Sequence, residues 1–386
     1  MNKSAAVKRL AGALGPLLLG TAFLLLIAWP QHVRVLKGQN DFVADYIGAR
    51  LAGTPQLYDH AANMREMYAA LHLYVDKCPY VRPPFYAVFL KPLSWFPYNA
   101  AHAVFAGVML ASTILFVLMF GRECPPLAFF TAMSVPLLES FCIAQDSPLL
   151  LPIVGASVLL SRRGRQFAAG AVLALCAIKF HLFLFVPLLV LVKKKWRMAA
   201  GGAAGIAALA VLGAAVNGID SAARWLTVIR DPWINPAARI MPNLHGLAAA
   251  VEGGPLVEAA LGIAVAAAFL WLARRTDNYE LLLGVALVCS LLTSYHSTIT
   301  DDVLLLPAFV LIYGACGARV PRVLFALALT PIPAFLVVLG APWNAVLPLM
   351  LMATMAAVGV AVESERNPGI ASTADALAIP RAPAHP

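Results

Sequence analysis

The sequence predicts an all-α polytopic membrane protein, and three observations carry that prediction. Of its 386 residues 61% are hydrophobic and only 12% charged, against roughly a quarter charged in soluble domains. The apolar residues fall in runs close to the ~20 that a helix needs to cross a bilayer. The basic residues cluster at the ends of those runs, the pattern of cytoplasmic turns. The net charge of +9 is therefore a feature of membrane topology and does not point to nucleic acid.

The first run, residues 10–29, follows Lys3, Lys8 and Arg9. It exceeds the apolar core of about 7–15 residues in a cleaved signal peptide, and Trp29-Pro30-Gln31-His32 is a poor cleavage site. It is read as an uncleaved first span with the N-terminus inside. Residues 31–82 then form a first outer loop. Within it, residues 57–75 carry apolar side chains at rough helical spacing, either an amphipathic helix at the interface or a packed loop helix. Residues 81–97 hold an apolar piece bracketed by prolines and too short to cross. Tyr80, Phe85, Tyr86, Trp95 and Tyr98 are expected at interfacial depth there.

Residues 99–120 cross inward, 127–143 return outward to Gln145-Asp146-Ser147, and 149–160 go back in, stopped by Arg162, Arg163 and Arg165. The next basic block, Lys193 to Lys195 with Arg197, also belongs inside, so residues 167–192 cross an even number of times. About 26 residues are too few for two spans. A re-entrant hairpin, or two short buried helices with Lys179 at the bend, satisfies both constraints. Residues 199–216 then exit, 217–254 form a second outer loop, and 256–272 return to Arg274 and Arg275. Spans at 281–295, 303–316, 323–339 and 345–362 complete the series. That gives about ten full spans plus the hairpin in a single membrane domain, residues 1–362, followed by a disordered inner tail at 363–386.

This topology collects polar residues on the outer side. Asp41 and Asp45 are four apart, which on a helix places both on one face. They read either as a catalytic base at the outer membrane surface or as a loop start in which Asp41 caps a helix. Gln145 and Asp146, Asn243 and His245, and His296 with Asp301 and Asp302 form the other outer clusters. Lys179 and His181 lie at membrane depth, where an ionisable residue is a functional candidate. Lys179 is placed either to hold a lipid phosphate or to snorkel to a cavity. No phosphate-cradling glycine loop, dinucleotide fingerprint or serine elbow occurs, which argues against a cytosolic nucleotide-sugar donor. The six cysteines follow no disulfide or zinc spacing.

An ordered series of short motifs carries a resemblance. It runs through Asp41-Phe42, Gly53 with Leu57-Tyr58-Asp59, Pro83-Pro84-Phe85, Pro92-Leu93, Phe96-Pro97-Tyr98, and Gln145. It continues through Ala169-Gly170 with Ile178-Lys179, the turn Lys193 to Arg197, Asn243-Leu244, and the stretch from Ser294 to Asp302. Over about residues 10–362 the chain resembles the GT-C superfamily glycosyltransferases of family 87, polyprenyl-phosphate-mannose-dependent α-1,2-mannosyltransferases. One departure is Phe180, where the family's lysine is usually followed by proline.

The resemblance implies a GT-C-like fold with short interfacial helices in its outer loops, and a site on the periplasmic side of a bacterial inner membrane. It implies inverting transfer of a hexose, mannose, from a polyprenyl-phosphate sugar to a lipid or glycan acceptor, with no cofactor and no obligatory metal. It maps the catalytic base onto Asp41 and a second active-site residue onto His296. Such a donor has a good leaving group already, so the reaction needs a carboxylate to take the acceptor's proton. Cations or an imidazole near the departing phosphate stabilise its charge, the candidates being Arg82, Lys91 and His296. Substrate-binding candidates are Asp45, Arg82, Lys91, Gln145, Asp146, Lys179, Asn243, His245, Asp301 and Asp302. The alternative is a transporter or flippase of a lipid-linked saccharide, which Lys179 and His181 would suit. The paired broken helices of transporter repeats have no second copy in the sequence.

Overall fold

The structure, a computed structural model, describes residues 40–72, 79–234 and 237–367. The expected first span at 10–29 and the tail beyond residue 367 lie outside the described residues. Among the described residues every regular element is helical. Two helices, α1 (Phe42–Leu51) and α2 (His60–Leu71), lie in the described part of the first loop. Then α3 (Pro84–Leu90) and a 3-10 turn (Lys91–Trp95) lead into the long α4 (Tyr98–Phe120). Two short helices, α5 (Leu127–Ala132) and α6 (Val135–Cys142), precede α7 (Leu150–Arg162). Next come α8 (Gln166–Leu173), a 3-10 stretch (Ala174–Phe183), α9 (Phe185–Val192) and α10 (Trp196–Asn217). The second loop contributes α11 (Ser221–Ile229) and α12 (Leu244–Ala250). The last third is α13 (Gly254–Arg275), α14 (Tyr279–Thr293), α15 (Leu305–Ala315), α16 (Arg319–Ala328), α17 (Pro331–Leu339) and α18 (Val346–Arg366).

Among the described residues five helical stretches are long and apolar enough to cross a membrane: Tyr98–Phe120, Gln166–Phe183, Trp196–Asn217, Gly254–Arg275 and Trp343–Arg366. Counting each bent pair as one span gives up to seven. Of the expected ten, the span at 10–29 lies outside the described residues, and several of the others are not single helices of spanning length, for local reasons. The run at 127–143 breaks at Met133-Ser134, where Ser134 caps α6 by accepting from the Leu137 N–H. The run at 323–339 bends by 46° between α16 and α17, where Pro331 restarts the helix. The run at 281–295 becomes α14, only 15 residues long, with every residue from Leu281 to Leu292 buried. A helix apolar all round and enclosed by protein is a core element whose length need not match the bilayer.

By contrast, α4 buries a stripe (Ala101, Phe105, Met109, Thr113, Phe116, Phe120) at helical spacing. Its other face exposes Val104, Val108, Leu110, Ile114, Leu115 and Leu118. Exposed aliphatics on that scale are what a lipid-facing helix presents. The expected interfacial aromatics behave differently. Tyr80, Phe85, Tyr86 and Tyr98 are buried in a core with Phe42 and Phe105, and Trp95 alone of the five is exposed. The tail boundary also shifts, since α18 continues through Glu363 to Arg366.

The segment at 167–192 forms a bent pair of limbs. Its helical path breaks at Lys179 (φ −127°, ψ 58°), and the return limb α9 brings Val190 back against Ala169 at the base of α8, together with Met198 of α10. Both ends of the hairpin therefore lie together and Lys179 occupies its tip. What seats the hairpin is close helix approach. A Cβ on Gly201 would run into the Phe167 carbonyl, and one on Gly170 into the Met198 carbonyl. Neither obstacle is a side chain that can move aside, and small residues at such contacts let helix backbones touch. Gly201→Val is expected to force α8 and α10 apart and cost about 2–3 kcal/mol. A thermal melt in detergent that matched wild type would refute this.

Candidate functional site

The polar residues converge where four chain turns meet the hairpin tip. α6 and α7 are bent by 120° relative to one another. The turn between them holds buried Ala144 at φ 53°, the left-handed region that non-glycine residues rarely occupy. The next two residues, Gln145 and Asp146, enter the cluster. From the hairpin comes Lys179, only 2% exposed. Its ammonium lies 2.7 Å from Asp301 Oδ1, 2.6 Å from Ser147 Oγ, 3.0 Å from Gln145 Oε1 and 3.1 Å from Asp146 Oδ1. Arg82, ahead of α3, donates from Nη2 to Asp146 Oδ1 (2.8 Å) and Gln145 Oε1 (3.1 Å). Two cations thus face two buried carboxylates, as charges removed from water require.

Asp301 is held from a second direction. Its Oδ2 accepts from the Thr298 N–H (2.9 Å) in a capping box that opens the 3-10 helix Ile299–Leu304. Burial alone would raise this carboxyl, but the adjacent Lys179 ammonium holds it well below the usual carboxylate range. The neighbouring Asp302 is equally buried, and among the described residues neither of its oxygens has a hydrogen-bond partner. Burial, reinforced by Asp301, pushes it well above the ordinary value.

Asp41 stands at the edge of this cluster and is exposed. Its backbone N–H donates to the Ile143 carbonyl (2.9 Å), and its Oδ2 accepts from Gln145 Nε2. The capping alternative is not what the chain uses, since the Asp41 side chain makes no cap bond. The Phe42 N–H goes instead to Asn40 Oδ1, which also accepts from the Tyr98 hydroxyl. Phe42 stacks on Phe105 of α4 at 4.8 Å, so the residue beside Asp41 is pinned into the core. Although the side chain opens outward, dense protein around it raises the Asp41 carboxyl. The Gln145 amide, Arg82 and Lys179 pull the other way.

Asp45, one turn on, is buried and pushed up to about 8 by burial and the nearby Asp146 charge. The folded chain then holds a proton here that the unfolded chain releases near pH 4. Stability from this group is complete below that point and declines as pH rises toward 8. Asp45→Asn is expected to remove that decline, so melting of the variant and wild type should diverge by several degrees at pH 9 and differ little below about pH 4. Parallel curves across the range would count against a neutral Asp45.

The late turn brings His296 edge-on to His181 of the hairpin, ring centroids 5.7 Å apart. Burial lowers the affinity of His296 for a proton, opposed by Asp301, so a neutral imidazole faces the site at pH 7. His181 stands out in the sequence only as an ionisable residue at membrane depth, and Ser147 and Trp225 are site residues absent from the sequence-based assignment. Trp225 of α11 packs on Phe180 at 5.7 Å and donates to the Val81 carbonyl beside Arg82. Ser147 had a signal, its place after Gln145-Asp146; Trp225 had none, lying in a long loop.

Other expected site residues are not brought into the cluster. Lys91 donates to the carbonyls of Arg50 and Ala52 (3.2 and 2.9 Å). It closes the C-terminal end of α1, where a cation suits the helix dipole. Asn243 caps α12 through the Gly246 N–H and donates to the Ser294 carbonyl (2.7 Å), tying the second loop to the late turn. His245 pairs with Glu258 at 2.7 Å. Lys179 itself is at the centre, but its protons are taken up by protein oxygens, leaving none for a phosphate.

An apolar groove of about 320 Å³ runs alongside, lined by Tyr86, Phe89, Leu93, Phe105, Leu149 and Ile178 among others. Ile178 and Leu149 are one and two residues from Lys179 and Ser147, so the groove runs next to the polar cluster, whose charged side chains do not line it.

A family model for glycosyltransferase family 87 matches residues 80–297, more than half of the chain. That segment contains Arg82, Gln145, Asp146, Lys179, His181 and His296; Asp41 and Asp301 fall outside it. No curated protein and no solved structure matches the sequence. Apolar helices of spanning length, a charged cluster beside an apolar groove, and this match lead to one conclusion: the chain belongs to glycosyltransferase family 87, a family of GT-C type, and is a membrane glycosyltransferase.

Proposed function

We propose that the protein transfers a hexose, mannose, from a polyprenyl-phosphate sugar to a lipid or glycan acceptor, with inversion, at the periplasmic face of a bacterial inner membrane. The observation that carries this reading is the exposed Asp41 carboxylate, bonded through Gln145 to Arg82 and Lys179, beside an apolar groove. The groove offers a hydrocarbon chain a path that delivers its phosphate to the charged cluster. Arg82 keeps part of its guanidinium side chain accessible (15% exposed) and is the cation able to meet that phosphate.

The acceptor hydroxyl oxygen attacks the anomeric carbon from the side opposite the phosphate. The new C–O bond forms as the bond to the phosphate oxygen breaks, and that oxygen keeps the electron pair. The hydroxyl proton passes to Asp41. No acid is required, because the donor is a phosphate diester and polyprenyl phosphate leaves as a stable monoester anion; Arg82 and the neutral His296 stabilise the departing charge. The test is purified protein supplied with polyprenyl-phosphate mannose and a membrane extract as acceptor. A product of inverted anomeric configuration is expected. Transfer from a nucleotide sugar instead, or movement of the lipid across the bilayer without product, would overturn the proposal.

A further inference from the structure

Gln145 is a neutral residue placed between three charged ones. The orientation of its amide follows from its partners. Arg82 and Lys179 have only protons to offer, and both point at the same end of the side chain, Oε1, at 3.1 and 3.0 Å. That end must be the oxygen. The other end, Nε2, is then a donor and meets Asp41 Oδ2. A donor there bonds an ionised carboxylate oxygen and disfavours protonation of that oxygen. Asp41 Oδ1 has no hydrogen-bond partner among the described residues, and the residue is exposed.

Resting on the reading of Asp41 as the base, we infer that Gln145 is its positioning residue. Its amide ties Oδ2 to the Arg82–Lys179 cation pair and leaves Oδ1 as the oxygen that takes the acceptor's proton. Gln145 does not touch substrate in this scheme; it fixes the rotamer of the base and transmits the cations' pull to it. The charges facing Asp41 are few and come from different elements: Asp45 on its own helix, Arg82 ahead of α3, Asp146 on the α6–α7 turn and Lys179 at the hairpin tip. His102 of α4 lies against the adjoining Phe42 ring. Gln145 touches Asp41, Arg82 and Lys179 directly, which no other side chain in the cluster does.

The test is the pH profile of mannose transfer from polyprenyl-phosphate mannose by wild type, Gln145→Leu and Gln145→Glu, with Asp41→Asn alongside. The base acts deprotonated, so the rate falls as pH drops through its pKa. Removing one hydrogen bond to a charged oxygen is expected to move that acid limb up by about one pH unit in Gln145→Leu. Gln145→Glu keeps the shape and can still accept from Arg82 and Lys179, but sets a carboxylate against Asp41, so its limb is expected to move further. Because it is isosteric, it decides the question should Gln145→Leu fail to accumulate. An acid limb that stays at the wild-type pH in the Glu variant, with only the maximal rate lowered, would reduce Gln145 to a structural part and overturn the inference. Wild-type transfer by Asp41→Asn would be a different failure, that of the base itself.

Discussion

Asp41→Asn is expected to fold, to enter the membrane and to lose sugar transfer by about 10²–10⁴-fold in kcat, the usual worth of a general base. The fold should survive because the side chain contributes little to packing. Asp41 is exposed, does not cap α1, and makes one side-chain bond, to Gln145 Nε2. An asparagine oxygen can accept that same bond. What anchors this end of α1 is Asn40, which receives the Phe42 N–H and the Tyr98 hydroxyl, and Phe42 itself against Phe105. Donor binding should persist, since Arg82 and the apolar groove are untouched, and KM should therefore move far less than kcat. The acid limb belongs with this expectation. Dense protein around the open side chain raises the Asp41 carboxyl, so wild-type transfer should begin to fail at a pH above the ordinary carboxylate range, and the variant's residual rate should lack that limb. A melt equal to wild type with undiminished turnover would remove Asp41 from the mechanism.

The sequence exposed the plan of this site better than its architecture. Basic residues at both ends of residues 167–192 required the chain to return to its starting side, and Lys179 does sit at the break between two packed limbs. The polar residues at 41, 145–146 and 301 meet because they end neighbouring helices. The span count was less legible, because hydropathy measures a residue's aversion to water and does not tell lipid from protein surroundings. Leu281 to Leu292 are as apolar as Tyr98 to Phe120, yet the first set is wholly buried and the second exposes six large aliphatics.

Polar residues carried a similar ambiguity. Lys91 and Asn243 are as conspicuous in the sequence as Arg82 and Gln145, but their nearest needs are the unpaired backbone groups of helix ends. Which polar residue serves a cap and which a site depends on contacts between residues a hundred or more apart, such as Gln145 with Asp41 and Lys179 with Asp301. A single chain read in order does not disclose those.

Lys179→Met is expected to be the most damaging change to the fold, and its outcome separates two roles for that lysine. Had Lys179 been a phosphate-holding residue, its removal would weaken donor binding and leave a stable protein. Instead its ammonium lies within 3.1 Å of four side-chain oxygens and is almost completely enclosed. Taking it away leaves Asp301 buried with its charge opposed only by hydrogen bonds, while Arg82 still pairs with Asp146. Breaking a buried pair from one side costs about 3–5 kcal/mol, because the remaining charge is stranded. The hairpin tip, the α6–α7 turn and the late turn are all tied through this one nitrogen, so the loss should appear as a lowered melting temperature and poor accumulation in membranes. Lys179→Arg should rescue only in part, since a planar fork does not fit oxygens gathered around a point charge. The double variant Lys179→Met with Asp301→Asn should regain part of the lost stability, a positive coupling expected of contacting residues, without regaining full transfer. A stable Lys179→Met protein with a raised KM and unchanged kcat would return the lysine to the donor phosphate and assign the cohesion of the cluster to Arg82 alone.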